Sequence, residues 1–193
     1  MQTDRSAGNT AHRLLPHPAR PPLAVRSVEA RVLRADGPWL QLRWRIEGAG
    51  RLAVPPFAGK GRADGLWRTT CFELFLRPAN GSPNYAEFNF SPSERWAAYD
   101  FEAPREGMRN RPMPRDPVCT LRRGGSVAIF DAAIPLLALP PERCAMGLTA
   151  VIEEQAEGGA STLSYWALAH GGEQPDFHDL ACFTATLPAP GGA

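Results

Sequence analysis

The chain reads as an all-β protein, an antiparallel sandwich of jelly-roll type with about ten strands. Three observations carry that expectation. Short apolar runs recur along most of the 193 residues, several with strict two-residue alternation. Turn signals such as Asp36-Gly37, Asn80-Gly81 and Gly124-Gly125 separate them. Twenty Pro and eighteen Gly leave little room for long helices.

In order, the expected strands are Val25–Leu33, Trp39–Ile46, Cys71–Arg77, Tyr85–Phe90, Trp96–Phe101, Val118–Arg122, Val127–Ile134, Ala145–Ile152, Leu163–Ala169 and Cys182–Leu187. Leu40, Leu42, Trp44 and Ile46 alternate with Gln41, Arg43 and Arg45, the pattern of a half-buried strand. Ala132–Leu139 has room for one helical turn, limited by Pro135, Pro140 and Pro141. Residues 1–22 are polar and Pro-rich and are expected to be a flexible segment ahead of a domain spanning 23–189. The Val54–Arg62 and Glu102–Asp116 stretches read as long loops, which in a sandwich gather at a sheet end near any ligand site.

Composition narrows the function. A net charge of +1 gives no electrostatic case for nucleic acid or an anionic membrane as partner. No apolar run has the length of a membrane span, and the N-terminus lacks the apolar centre of a signal peptide, so a cytoplasmic location is expected. Cys71, Cys119, Cys144 and Cys182 form no C-x-x-C pair, and buried free thiols are expected. No phosphate loop, G-x-S-x-G elbow or H-E-x-x-H is present.

The stretch from Leu66 to Phe101 carries the most information. Phe72, Leu74 and Leu76, then Ala86, Phe88 and Phe90, form one apolar face. Cys71, Glu73 and Phe75, then Tyr85, Glu87 and Asn89, form the other. Only an odd-length loop keeps these faces separate. That places Glu73 opposite Glu87 or Asn89, with Gly81 in the left-handed turn position. Trp67 lies six residues before Glu73, an even spacing that points its ring to the polar face of an extended chain. Carboxylates, an amide and aromatic rings on one sheet face suit a sugar, whose hydroxyls need hydrogen bonds and whose ring needs a stacking platform. A solvated outer face is the plain alternative. An enzyme using Glu73 and Glu87 as a glycosidase pair is another.

A second cluster falls within Ser164–Phe183: Trp166, His170, Asp176, His178 and Asp179. Trp166 is either core packing or a second stacking platform, and His170 shares its strand parity. The H-x5-D-x-H-D spacing matches no defined metal motif.

The runs LWRTTCFELFL, YAEFNFSPSERWAAYDF, GLTAVIE and SYWALAHGGEQPDFH, in that order, resemble bacterial DOMON-like domains, which look like family 9 carbohydrate-binding modules. The resemblance spans about Leu66 to Leu187. It implies a non-catalytic sandwich that holds a sugar between two Trp rings, with Trp67 and Glu73 matching the first ring and its acid and Trp166 the second. It also implies no required cofactor. Haem-binding relatives use Met and His, which would fall on Met108 and His170, and some modules carry structural calcium. The ligand set expected is thus Trp67, Glu73, Tyr85, Glu87, Asn89, Trp166 and His170.

Overall fold

The computed structural model describes residues 10–35 and 37–190. Asp36 of the expected first turn and the first nine residues of the expected flexible segment lie outside the described residues. Among the described residues thirteen strands form: β1 (Ala11–Pro16), β2 (Ser27–Arg34), β3 (Trp39–Glu47), β4 (Gly61–Arg62), β5 (Cys71–Pro78), β6 (Tyr85–Phe90), β7 (Arg95–Phe101), β8 (Arg109–Asn110), β9 (Val118–Arg123), β10 (Val127–Pro135), β11 (Cys144–Gln155), β12 (Ser161–Ala167) and β13 (Ala185–Leu187). The protein is all-β, and among the described residues the connections contain only short 3-10 turns.

The strands hydrogen-bond as one sheet in the order β4-β7-β6-β5-β11-β12-β1-β2-β3-β10-β9, with β8 beside β7 and β13 beside β11. The sheet curls strongly into a half-barrel, where the sequence suggests a sandwich of two antiparallel sheets. The cause is β1. Its first part, Ala11 to Leu14, pairs with β2. Its last part, Leu15 and Pro16, pairs with β12. One strand therefore joins both halves and removes the break that two sheets would need. The pairing is antiparallel except for β4 against β7.

β1 falls in the segment expected to be flexible. Only Leu14 is buried among its residues, so β1 has no alternating apolar signal. Its order comes from backbone bonds on both sides, which composition does not report. Elsewhere the alternation holds. On β3, Leu40, Leu42, Trp44 and Ile46 are buried and their neighbours half-buried. β10 runs on through Pro135 before the 3-10 turn Leu136–Ala138, so the expected helical turn shrinks to three residues.

Two apolar layers result. The central core lies between the two halves and includes Trp44, Phe72, Phe88, Phe90, Phe130 and Trp166. Phe72 of β5 stacks on Phe130 of β10, with ring centroids 4.2 Å apart. The second layer lies on the other face of the β5–β6–β7–β11–β12 half and contains Cys71, Phe75, Tyr85, Tyr99, Phe101, Phe177, Cys182 and Phe183. There the C-terminal segment folds back over the sheet. Phe183 meets Phe75 at 5.7 Å and Tyr85 at 5.8 Å. Gly147 leaves room for this crossing, since a Cβ there would come within 3.3 Å of the Cys182 carbonyl. The four cysteines are free and buried.

Candidate functional site

The β5–β6 hairpin has the register that burial demands. Glu73 lies opposite Asn89, Phe75 opposite Glu87 and Phe72 opposite Phe90. Gly81 takes a left-handed φ of 84° in the connection. Phe72, Leu74 and Leu76 enter the central core with Ala86, Phe88 and Phe90. The opposite face becomes the floor of a cleft of about 740 Å³. Glu73, Glu87, Tyr99, Phe101, Val151 and Tyr165 line it from the sheet.

Three segments, with Arg20 of the β1–β2 connection, build the walls. The first is Asp64, Gly65 and the 3-10 turn Leu66–Arg68, which carries Trp67. The turn replaces the extended chain that the Trp67 spacing assumes, yet the indole still lines the cleft. It is 48 % exposed, with the Arg68 guanidinium 5.3 Å from its ring centre. The second wall is the loop after β7, with Arg105 and Met108. The third is the C-terminal segment, with Gln174, Pro175, Phe177 and His178.

Arg105 ties the second and third walls together. Its guanidinium meets Asp176 at 2.8 Å and its backbone N–H donates to the Tyr85 hydroxyl at 3.2 Å. It does this with a left-handed φ of 63°, which is uncommon outside glycine. Tyr85 in turn lies 2.6 Å from Nδ1 of His178. The Tyr85 oxygen accepts from Arg105, and the direction of its bond with His178 Nδ1 follows the imidazole tautomer. The other ring nitrogen, Nε2, faces a Glu87 oxygen at 3.9 Å. Burial, then the Arg105 charge, lowers His178 to about 4, so it is neutral at pH 7.

The two glutamates sit at the base, 3 % and 5 % exposed. Thr149 of β11 donates to Glu73 at 3.3 Å, and the Asn89 amide donates to Glu87 at 2.7 Å. The other arm of that amide, Asn89 Oδ1, is buried with no hydrogen-bond partner. Among the described residues no Arg or Lys forms an ion pair with either carboxylate. Both therefore hold protons above the usual carboxylate range. Burial and then the Glu87 charge raise Glu73, and burial raises Glu87 to about 7 against the Asn89 hydrogen bond. On the rim, the Tyr99 hydroxyl donates to Asp64 at 2.5 Å. Tyr99 is raised by burial and by this bond.

This arrangement makes stability depend on pH. The fold keeps the Glu87 proton from the ordinary value of 4.5 up to about 7, so its contribution falls as pH rises through that window. His178 acts in the opposite sense. It stays neutral in the fold down to about 4, so stability falls as pH drops below its ordinary 6.5. The acid contribution is isolated by comparing the wild type with Glu87→Gln. The variant is expected to melt at a higher temperature at pH 8 and to lose that advantage by pH 5. A melting difference constant across this range would refute the assignment.

Of the expected ligand residues, Trp67, Glu73 and Glu87 line the cleft. Tyr85 and Asn89 stand behind it and hold His178 and Glu87. Trp166 and His170 lie elsewhere. Trp166 is 2 % exposed in the central core, opposite Ala150, and its ring N–H donates to Ser164. Its parity on β12 points inward, and the adjacent Tyr165 faces the cleft instead. The two-Trp clamp that the resemblance implies is therefore not assembled. His170 bonds the Leu15 carbonyl and packs edge-on against His17, at the corner where β1 meets β12. Met108 lines the cleft and His170 does not. Among the described residues no group of three His, Cys, Asp or Glu could hold a metal ion.

Arg105, Asp64 and Tyr99 are additional lining residues that strand patterning does not single out. Tyr99 alternates with Trp96 and Ala98 on β7, so its face could be read once the β6–β7 register was known. Arg105 and Asp64 sit in loops, where parity carries no information.

No family model matches the chain, and no curated protein matches it. Among solved structures it is similar to a candidate carbohydrate-binding protein from Bacteroides uniformis ATCC 8492. The TM-score is 0.59 and the identity 18 %, over 96 % of this chain and 94 % of that one. It also matches a family 9 carbohydrate-binding module from Caldicellulosiruptor kristjanssonii, in complex with glucose. There the TM-score is 0.46 and the identity 10 %, over 79 % of this chain and 73 % of that one. The first likeness extends over nearly the whole chain and is one of fold.

Proposed function

We propose that the cleft binds a sugar-like ligand without performing chemistry on it. The observation that carries this reading is Trp67, a half-exposed indole at the wall of a cleft whose floor is two buried carboxylates. An indole left in water on a cleft wall offers a flat apolar platform of pyranose size. Below it, Glu73 and Glu87 accept hydrogen bonds from hydroxyls, and Asn89 and Thr149 hold them in place. Phe177 and Tyr165, with ring centres 6.0 Å apart, supply a further aromatic wall. The fold likeness to a candidate carbohydrate-binding protein supports the same reading.

The test is calorimetric titration with glucose, cellobiose and xylobiose. Trp67→Ala is expected to weaken binding by about tenfold or more, the effect of losing one central aromatic contact. Its stability should change by less than about 0.5 kcal/mol, since the ring is not core. Failure of every sugar to bind at millimolar concentration would sink the reading.

One observation favours a second reading. A carboxyl held near 7 in a cleft, as Glu87 is, suits a general acid. An enzyme of this kind would lose turnover of aryl glycosides in Glu87→Gln while retaining sugar binding.

A further inference from the structure

We propose that the ligand of this cleft carries a protonated primary amine, as an amino sugar does, and that the ammonium sits against Glu73 and Glu87. The inference rests on the sugar-binding reading and specifies the ligand class.

The first argument is geometric. Glu73 lies opposite Asn89, and Glu87 lies two residues along the same strand, so both acids project from one face as diagonal neighbours. Such neighbours have backbones about 7 Å apart, within reach of a single ammonium between two long side chains. Both carboxylates line the cleft, so the gap between them opens to a ligand.

The second argument is a donor count. The floor presents four carboxyl oxygens, and behind it the Asn89 Oδ1 is buried and unpartnered. Against them stand the Thr149 hydroxyl and the Asn89 amide group. Once the acids release their protons, the floor is short of donors. An ammonium supplies three donors and no acceptor, whereas each hydroxyl brings one donor with further acceptors.

The third argument is charge. A pair of buried carboxylates needs a compensating cation or a retained proton. Among the described residues no Arg or Lys forms an ion pair with either acid, although Arg20, Arg68 and Arg105 line the cleft. Arg105 is held on Asp176, and Arg68 lies over Trp67. His178 gives its Nδ1 to Tyr85 and is neutral. The aromatic walls also favour a cation over a neutral group. In the free protein the floor keeps protons, and the bound ammonium displaces them.

The experiment is calorimetric titration of the full chain at pH 6.8 with glucosamine, glucose, N-acetylglucosamine and cyclohexylamine, each in two buffers of different ionisation enthalpy. Glucosamine is expected to bind about tenfold or more tighter than glucose, the scale of one charge-assisted contact. Its apparent enthalpy should shift with the buffer because protons leave the glutamates. N-acetylglucosamine, which lacks the charge, should show neither effect. Glu73→Gln and Glu87→Gln should each bring the ratio of glucosamine to glucose affinity, measured in the same variant, down to about one, since an amide carries no charge for the ammonium. Glucose binding with no advantage for glucosamine would overturn this inference alone. Equal affinity for cyclohexylamine and glucosamine would overturn the assignment of a sugar. Absence of binding in every arm would overturn both this inference and the sugar-binding reading.

Discussion

Phe72→Ala is expected to destabilise the protein by about 3–5 kcal/mol in urea denaturation, the range for truncating a fully buried aromatic. Phe72 is buried completely, stacks on Phe130 at 4.2 Å and lies 5.5 Å from Trp44. Phe72 comes from β5, and the other two rings come from the adjacent strands β3 and β10, far from β5 in the sheet order. Their contact is where the two halves of the curled sheet meet. Truncation leaves a cavity that Trp44 and Phe130 cannot fill, because each is held by its own strand pairing. A loss under about 1 kcal/mol would mean that the halves are not held together here. The contrast with Trp67→Ala is informative, since both remove a large ring and only one should unfold the protein more easily.

Glu154→Leu is expected to cost a comparable amount, about 3–5 kcal/mol, for a different reason. Glu154 is fully buried at the end of β11. Its two oxygens accept from the backbone N–H groups of Leu23, Ala24 and Val25 at 2.8, 2.7 and 2.9 Å. An apolar residue leaves three donors without partners, each carrying a desolvation penalty of about 1–3 kcal/mol offset where water can reach it. The carboxylate thus anchors the connection between β1 and β2 to the opposite half of the sheet. The variant should show lower stability in chemical denaturation and faster amide exchange at Leu23, Ala24 and Val25. Unchanged exchange at those amides would refute the role.

The hairpin shows what pattern can reveal. Its two-faced alternation and the rule that opposite residues share a face put Glu73 opposite Glu87 or Asn89, and the fold takes Asn89. Glu73 and Glu87 could be placed on one polar face because strand parity is local and exact once burial chooses a side. The same logic fails at Trp166. Its parity is readable, but which side of β12 meets the core depends on β11 and on the sheet's curl. Trp67 reaches its place by another route than expected, a 3-10 turn, because Gly65 admits a left-handed φ of 71° and ends the extended path.

Other parts of the site have no periodic signal. His178 faces Glu87 because Tyr85 and Asp176 hold it there, one by its ring and the other by its backbone N–H. Arg105 reaches Asp176 across 71 residues of chain. The Glu154 anchor likewise reads as an ordinary polar position near a strand end.

By itself, the sequence determined the all-β class, most strand positions, the facing of the hairpin residues and the two-faced character of Leu66 to Phe101. These follow from local rules: alternation of two, turn residues, and the cost of exposing an apolar face. Tertiary structure alone decided that β1 joins both halves into one curled sheet and that Trp166 belongs to the core. It also decided that the C-terminal segment closes a cleft over Glu73 and Glu87. The physical reason is that these outcomes depend on long-range backbone pairing and on which buried charges find partners, and neither leaves a periodic trace in the chain.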